Sequence, residues 1–385
     1  MKTEQQTVLF VSHSSGLYGG ERSLLDLISM CPADIKPIVL VPSEGKLTKR
    51  LERRDVDYLK VPYTLWISPP KFFPVLGPAH LAKNLIGYLL MRSSLEEYDI
   101  DVVYTNTIAA PMGGLVAEYL SVPNIWHIRE FVEEDHNRWF DLGKRITTEF
   151  IERSSSTVVY NSNAVERKYT SFFDDPRERV VYNGPISADK LDERNIRTSG
   201  IAGPVDIVIV GSIRQGKNQI EAIEMLGEAA ERDIDIELTI VGDGDSGYIK
   251  SCQARADKLG VSDQVHWEGY QDEVADYYRE TDVTLVPSKS EAFGRVVVEA
   301  MSYGSPVLAR DAGALPELIT HGETGLLYTT ITELLDHIDE LRTDDTLPQR
   351  LSANGLEHVR DNFTKEAYAS KIYSIIRSEI LTQST

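Results

Sequence analysis

The stretch VDIVIVGSIRQGKNQIEAIEMLGEAA (residues 205–230) joins an apolar run to an amphipathic run through a glycine-containing turn. The apolar run is rich in Val and Ile and predicts a strand, and the run that begins at Gln219 predicts a helix. The turn reads G-x-x-x-x-G-K, with Gly211 first and Lys217 last, which is the spacing of a phosphate-binding loop. However, Asn218 stands where such a loop needs a Ser or Thr hydroxyl for magnesium. The stretch alone is consistent with a phosphate site and with a plain strand-to-helix turn.

The same alternation of strand and helix patterns continues along both halves of the chain. It predicts the α/β class, with parallel sheets that helices cover on both faces. The stretch 184–204 is polar and lacks a strand pattern, so it predicts a boundary between two doubly wound domains, at 1–190 and 200–364. Open parallel sheets bind ligands beyond the carboxyl ends of their strands, so we expect the site in a cleft between the two domains. The predicted strands are TVLFVS, IKPIVLVP, IDVVYTN, VPNIWHI, STVVYNS, ERVVYNG, VDIVIVG, IELTIVG, VHWEG, VTLVPS and SPVLAR.

The composition of the chain excludes some classes of function and indicates a cellular compartment. The chain has 385 residues, 42% of them hydrophobic, which is enough for complete cores. Its net charge of -20 argues against a nucleic-acid partner, which would require excess Lys and Arg. The two cysteines, Cys31 and Cys252, form neither a disulfide framework nor a zinc pattern, and we expect two buried thiols. Without a signal-peptide or transmembrane pattern, the sequence predicts a cytoplasmic protein.

The most specific pattern lies in residues 288–328, SKSEAFGRVVVEAMSYGSPVLARDAGALPELITHGETGLLY. Glu291 and Glu299 are spaced E-x7-E around AFGRVVV, and EAM, a G-x-P turn and GETGLL follow. Together with HSSGLYGGE, WHIRE, VVYNG, VGDG and HWEGY elsewhere, this stretch resembles the retaining glycosyltransferases of family 4. The resemblance covers nearly the whole chain. It implies a GT-B fold of two Rossmann-like domains, with the C-terminal helix, about 365–385, packed back on the first domain.

The resemblance also resolves what the opening turn binds. In the family, a Lys at the position of Lys217 contacts the diphosphate of a nucleotide-sugar. The family also has an Arg where this chain has Ser212, and Arg214, two residues further on, is the candidate replacement. A diphosphate leaving group gathers negative charge, which cations and backbone N–H groups at helix starts stabilise.

The remaining site residues follow from the resemblance and from the helix starts. Other interpretations stay open for three of them: a helix cap for Glu291, a solvated side chain for Glu299 and a core residue for His127. Gly19, Gly20 and Gly294 are candidate backbone donors. Glu299 is the candidate for the ribose, and Glu291 and His127 are candidates for contacts with the donor sugar. Further donor-side residues are Phe293, Arg295 and, near the base, Tyr270, and the acceptor-side residues are Asn106 and Ser14.

The implied reaction is transfer of a hexose from a UDP- or GDP-linked sugar, with retention, in polysaccharide or glycolipid synthesis. The acceptor would be a glycan or a lipid-linked molecule. The resemblance implies neither a cofactor nor a metal, and the DGD triplet at 243–245 is predicted to be a loop.

One segment stands out by its lack of acidic residues. No Asp or Glu occurs from Tyr58 to Leu95, although the chain contains 60 of them. This segment includes the loop PPKFFPVLGP and the predicted helix HLAKNLIGYLLMRS. Two interpretations are open: a buried helix with a long connection, or a surface, residues 63–92, that docks on the inner face of a membrane.

Three other functions remain as alternatives at this point. A nucleotide-sugar epimerase shares the two-domain architecture, and it would change the donor without an acceptor. A P-loop ATPase would hydrolyse ATP with magnesium and would depend on Lys217. A non-catalytic carbohydrate-binding relative would bind the donor without turnover.

Overall fold

A computed structural model of the chain describes residues 5–70, 73–173, 178–192 and 196–383. The chain divides into two compact units, each of which contains a parallel sheet of its own. The first unit consists of Met1–Pro185 and Lys365–Thr385, and the second of Ile186–Thr364. The predicted α/β class, with two doubly wound domains, is confirmed.

The first unit is built on a sheet in which every neighbouring pair of strands is parallel. Its strands, and a separate antiparallel pair, are β1 (Gln6–Val11), β2 (Ile35–Val41), β3 (Asp57–Lys60), β4 (Ile67–Ser68), β5 (Val102–Thr105), β6 (Asn124–Ile128), β7 (Trp139–Phe140), β8 (Thr157–Tyr160) and β9 (Glu178–Val180). Within the described ranges the sheet has the order β3-β2-β1-β5-β6-β8-β9, and β4 pairs with β7 beside it.

Helices cover both faces of this sheet. They are α1 (Gly19–Ser29), α2 (Lys46–Glu52), α3 (Phe73–Leu95), α4 (Met112–Leu120), α5 (Glu133–His136), α6 (Lys144–Arg153) and α7 (Asn163–Tyr169). Successive residues of a strand point to opposite faces, so Phe10 of β1 packs among the leucines of α1, whereas Val11 packs against Met91 of α3 and Val116 of α4.

The second unit repeats this plan with a smaller sheet. Its strands and helices are β10 (Val205–Val210), α8 (Gln219–Ala230), β11 (Ile236–Val241), α9 (Ser246–Leu259), β12 (Val265–Gly269), α10 (Ala275–Glu280), β13 (Val283–Val286), α11 (Arg295–Ser302), β14 (Val307–Arg310), α12 (Leu315–Leu318), β15 (Leu326–Tyr328), α13 (Ile331–Thr343) and α14 (Leu347–Asn362). In the part of the chain that the structure covers, the order is β12-β11-β10-β13-β14-β15, all parallel.

The last helix, α15 (Lys365–Gln383), returns to the first unit. Tyr368, Ile372 and Ile376 on this helix are buried in the same cluster as Val8 and Leu24. Lys365 at its start is 2.8 Å from Asp26 of α1. The first unit therefore completes its core with the last residues of the chain.

The segment without acidic residues differs from its predicted form. Helix α3 begins at Phe73, seven residues before the predicted start at His80, so part of the predicted loop is helical. Pro74 fits the first turn of a helix, where a backbone N–H has no partner within the helix. Lys71 and Phe72 lie outside the described residues. No helix in the described ranges has the length and the apolar composition that crossing a bilayer requires.

Each sheet reverses its strand order at one point. The reversal lies between β1 and β5 in the first sheet and between β10 and β13 in the second. At such a point the loops that follow two adjacent strands diverge to opposite faces and leave a crevice at the carboxyl edge, where open α/β sheets bind their ligands. The residues that follow β1, β5, β10 and β13 are therefore the first place to look for a site.

Candidate functional site

Two predicted residues meet at the reversal point of the second sheet. Lys217 lies in the loop after β10 and Glu291 in the loop after β13, and their side chains form an ion pair. Ser288 donates a hydrogen bond of 2.8 Å to the same Glu291 oxygen. The two loops are also joined by a bond of 3.0 Å from the backbone N–H of Lys289 to the carbonyl of Gly216. A cation and a carboxylate, 74 positions apart in sequence, are thus held together at the carboxyl edge of the sheet.

The surroundings of Glu291 keep this carboxylate charged. Burial on its own raises the pKa of Glu291, but the charge and hydrogen bond of Lys217, the hydroxyl of Ser288 and the charge of Arg214 together hold the pKa below its ordinary value. The side chains of Lys217 and Glu291 still expose 20% and 13% of their surface. A ligand with both negative charge and hydroxyl groups could therefore take the place of one partner of this pair.

Glu291 does not cap the following helix, so the cap interpretation is wrong. Gly294 occupies the N-cap position of α11, with a φ of 96° that favours glycine. The backbone around Glu291 is instead held by Gly313, whose φ is 59° and whose added Cβ would lie 2.5 Å from the Glu291 carbonyl oxygen. The N–H of Ala314 donates to that carbonyl at 2.8 Å.

Glu299 lies one turn into α11, where its carboxylate has two protein partners. Arg295, four residues earlier, approaches one oxygen to 3.2 Å, and the hydroxyl of Tyr278 is 3.5 Å from the other. Tyr278 is itself stacked on Tyr303, with ring centroids 5.9 Å apart. Glu299 is therefore not a freely solvated helix residue. Phe293, also a predicted donor-side residue, is 4% exposed, and its ring packs against Phe363.

Asn218, which replaces the Ser or Thr of a P-loop, has a structural partner. It is buried with a φ of 58°, and its amide donates 3.0 Å to Glu221 in the first turn of α8. Glu221 also accepts a 2.9 Å bond from Tyr328 and pairs with Arg310. No pattern in the sequence pointed to Arg310 and Tyr328, which lie about 90 to 110 residues further along the chain. They fix the turn that carries Lys217.

Two predicted features lie on the surface of the second unit. Tyr270 is 46% exposed, and its hydroxyl donates 2.9 Å to Asp272. The DGD triplet forms the connection between β11 and α9, as predicted. Asp245 caps α9 by accepting the N–H of Tyr248 at 2.9 Å, while Asp243 accepts a hydrogen bond from its neighbour Gly244. Among the residues that the structure describes, no three His, Cys, Asp or Glu side chains gather in the manner of a metal site.

In the first unit, His127 lies fully buried in β6, near its carboxyl end. Its Nδ1 is 2.5 Å from the hydroxyl of Tyr104 and 3.1 Å from a nitrogen of Arg129. A guanidinium can only donate, so Nδ1 accepts and the ring proton lies on Nε2. Nε2 is buried and has no hydrogen-bond partner among the residues that the structure describes. Burial first, and the charge of Arg129 second, hold the pKa of His127 well below its usual range, so the ring is neutral.

Arg129 is the centre of this cluster, and the prediction from sequence did not include it. It is 5% exposed, and it donates to Asn106 at 2.8 Å, to Tyr368 of α15 at 2.5 Å and to Asn183. The R of WHIRE was visible in the sequence, but nothing there indicated that Tyr368, 239 residues away, would reach it. The residues that follow β5 and β9 and one residue of α15 therefore converge on one buried cation.

The reversal point of the first sheet gathers the other predicted residues. Asn106, after β5, donates 3.0 Å to the carbonyl of Gly20, at the start of α1. Glu21 is fully buried and accepts a 2.9 Å bond from Ser14. Its carboxylate also lies 3.3 Å from His13. A Cβ added to Gly19 would meet no atom within 4 Å, so this part of the helix start is open. Asn106 and Ser14 are thus already bonded within the protein.

A comparison with protein-family models gives one match. The model of "Glycosyl transferases group 1" matches residues 192–358, all of which lie in the second unit. This is the part of the chain that carries Lys217, Glu291 and Glu299. The match therefore coincides with the more specific of the two groups of candidate residues.

Similar proteins of known name extend the likeness to both units. D-inositol 3-phosphate glycosyltransferase of Corynebacterium diphtheriae is 25% identical over 77% of this chain and 75% of its own length. N-acetyl-alpha-D-glucosaminyl L-malate synthase of Bacillus anthracis is 26% identical over 88% of this chain and 78% of its own. Anabaena Alr3699/HepE, solved in complex with UDP-glucose, has a TM-score of 0.80 at 22% identity and covers 97% of this chain and 100% of its own.

Proposed function

The chain belongs to the glycosyl transferases group 1 family, with the GT-B fold, and from that premise we propose that it transfers a sugar from a nucleoside diphosphate to an acceptor hydroxyl with retention of configuration. The observation that carries the proposal is the meeting of Lys217 and Glu291 at the reversal point of the second sheet. A site for an activated sugar needs a cation for the diphosphate beside an acceptor of hydroxyl hydrogen bonds, and this pair provides both.

In the proposed reaction the bond between the anomeric carbon and the diphosphate oxygen breaks, and a bond to the acceptor oxygen forms on the same face. The acceptor proton passes to the departing phosphate. Lys217 stabilises the negative charge that develops on the diphosphate, and Arg214, whose charge already acts on Glu291, is the second cation of the loop. Glu291 accepts hydrogen bonds from hydroxyl groups of the donor sugar, with its charged form favoured by its lowered pKa.

Helix α11 supplies two further contacts in this scheme. Its start at Gly294 favours an anion, because the first backbone N–H groups of a helix point toward its N-terminus and have no carbonyl partner within the helix. Glu299, one turn later, accepts hydrogen bonds from the ribose hydroxyls and exchanges Tyr278 or Arg295 for them. Tyr270 is the candidate for the base, and the open start of α1 at Gly19 offers N–H groups to a phosphate.

His127 contributes a hydrogen-bond donor rather than a base. Its proton is on Nε2, the nitrogen without a partner, and its lowered pKa keeps the second nitrogen from gaining a proton. We therefore assign its Nε2–H to a hydroxyl oxygen of the donor sugar. Neither a metal nor a cofactor enters any of these steps.

For the donor we propose a UDP- or GDP-linked hexose, with UDP first, because Anabaena Alr3699/HepE shares the fold and was solved with UDP-glucose. The related enzymes act, by their names, on inositol 3-phosphate and on L-malate, so membership in the family does not fix the acceptor. We propose a glycan or lipid-linked acceptor, as in the synthesis of cell-surface polysaccharide or glycolipid.

The experiment that tests the proposal begins with a thermal-shift screen of nucleoside diphosphates and their sugars. A specific donor raises the melting temperature by mass action. With that donor, release of nucleoside diphosphate should depend on added acceptor, persist in EDTA, and give a product with the anomeric configuration of the donor by NMR. A donor that is epimerised without acceptor, or bound without any turnover, would refute the proposal.

A matched pair of variants connects the activity to the site. Lys217→Ala should abolish the thermal shift caused by the donor, whereas Lys250→Ala, an exposed lysine on α9, should leave the shift unchanged. Equal loss in both variants would mean that overall charge, rather than this site, determines binding.

A further inference from the structure

Helix α3 exposes a row of large aliphatic side chains. We define the α3 face as Leu81, Leu85, Ile86 and Leu89, whose side chains expose 58%, 56%, 55% and 56% of their surface. Residues four apart in a helix lie on the same side, so Leu81, Leu85 and Leu89 form one line along two turns. Scattered exposed leucines are ordinary, but a continuous apolar line marks an interaction surface. The buried-helix interpretation of this segment is therefore wrong for this face.

The opposite side of α3 is tightly held, so the exposure of the α3 face does not result from a loosely attached helix. Asn84 is buried and accepts a 2.8 Å bond from the backbone of Thr64. Gly87 lies so close to the carbonyl of Pro62 that an added Cβ would be 2.5 Å from it. Met91 is fully buried in the core beneath the sheet. The helix presents its aliphatic side outward in a fixed orientation.

Neighbouring elements extend the apolar surface. The first turns of α3 lie against the loop after β7, since the Nδ1 of His80 is 2.7 Å from Asp141 and a Cβ on Gly77 would be 3.5 Å from the same residue. Leu142, next to Asp141, is 42% exposed, and Ile146 on α6 is 56% exposed. The exposed aliphatic residues thus lie on α3, in the loop after β7 and on α6.

On α3 itself the exposed charges have one sign, since Lys83 and Arg92 are exposed and the helix contains no acidic residue. On the neighbouring α6, Arg145 pairs with Glu149. No acidic residue occurs from position 58 to 95, in a chain whose net charge is -20. A surface that is both basic and apolar is therefore unusual for this acidic chain. Such a surface fits a partner that combines negative charge with an apolar interior.

We propose that the α3 face is the surface by which the protein docks on a lipid bilayer that contains anionic lipids. Aliphatic side chains enter the boundary between headgroups and acyl chains, while Lys83 and Arg92 contact the anionic headgroups. A second copy of this chain that docked through its own α3 face would offer an apolar surface. It would bring Lys83 and Arg92 to the contact rather than negative charge. The inference concerns binding alone and does not depend on the proposed sugar transfer.

The test is co-flotation of the full chain with vesicles of phosphatidylcholine alone and of phosphatidylcholine with phosphatidylglycerol. We expect binding to the anionic vesicles, weakened at high salt. Replacing Leu85 and Leu89 by Ser should lower the partition coefficient at least about tenfold, because each removes an aliphatic side chain from the contact. Lys83→Gln should lower it about fivefold on anionic vesicles and leave neutral vesicles unaffected.

The control is Leu381→Ser, which removes an equally exposed leucine, 65% exposed, from α15. It should bind as the unmodified chain does, and all variants should keep the same melting temperature. Absence of binding to either vesicle by the folded chain would overturn the proposal. So would a stable dimer in solution, measured by light scattering, that the Leu85 and Leu89 substitutions convert to monomer.

Discussion

The carboxyl edges of the two sheets use charged side chains in opposite ways. In the first unit, Arg129 is buried and is enclosed by partners that already satisfy it, among them Asn106 and Tyr368. In the second, Lys217 and Glu291 pair with each other and remain partly open to solvent. The same architecture thus gives one cation whose partners belong to the protein and one pair that a ligand can separate.

This difference predicts which substitutions should lower stability and which should lower activity. A buried cation whose partners are all protein atoms contributes to folding, and its removal leaves those partners unsatisfied. A partly exposed ion pair adds little to stability, so it is available to exchange partners with a substrate. We therefore expect changes near Lys217 to lower activity and changes near Arg129 to lower stability.

The largest effect is expected from Lys217→Ala. Loss of the cation that faces the diphosphate should reduce kcat/KM by about 10²- to 10³-fold, the usual cost of one lost contact to developing charge. The melting temperature should fall less than in Arg129→Met, because the side chains of Lys217 and Glu291 keep 20% and 13% of their surface exposed. Steady-state kinetics together with thermal unfolding check both parts. A variant that unfolds early but keeps its activity would reverse the comparison.

Next in size is the effect of Arg129→Met on folding. We expect the free energy of unfolding of the first unit to fall by about 3 kcal/mol, since Asn106, Asn183 and Tyr368 lose a buried partner. Denaturant unfolding measures this change. Tyr368→Phe deletes one hydroxyl from the same cluster and is the matched, smaller change. It should lower the free energy of unfolding by about 1 kcal/mol. Equal costs for the two variants would show that Arg129 is not the centre of the cluster.

A pH dependence follows from His127. Its pKa in the folded protein lies well below the 6.5 of an ordinary histidine, so the unfolded chain takes up the proton first as the pH falls. Stability should therefore decline below about pH 6.5, by about 1 kcal/mol between pH 6.5 and 5.5. Denaturant unfolding at several pH values tests this, and His127→Asn should remove that part of the slope. An unchanged slope in the variant would contradict the assignment.

An effect of similar size on stability is expected from Tyr104→Phe. The variant loses the hydroxyl that donates to Nδ1 of His127, while Arg129 still donates to the same nitrogen. The ring should keep its proton on Nε2, with a cost of about 1 kcal/mol in stability. ¹⁵N chemical shifts of the imidazole report the tautomer directly. A signal from the Nδ1–H form in the unmodified protein would overturn the assignment of the donor.

Much of the fold could be predicted because its signals are local. Valine-rich runs and glycine turns identified all the central strands of both sheets, while β4 and β7, of two residues each, are too short to leave a pattern. Lys217 was visible in the G-x-x-x-x-G-K turn, and Glu291 and Glu299 were visible in the E-x7-E pattern, because each of these two motifs is local. Arg129 with Tyr368, and Glu221 with Arg310, were not identified, since each pair depends on contacts between distant positions. A long-range partner leaves no trace in one sequence.

The return of α15 to the first unit has a consequence for biosynthesis. The strands of the first sheet are translated before the second unit, but Tyr368, Ile372 and Ile376 are translated only after it. Until then the nascent first unit lacks part of its core, and the second unit can fold before the first is complete. Loss of α15, by a premature stop or by proteolysis, would therefore damage the unit whose sheet is translated first.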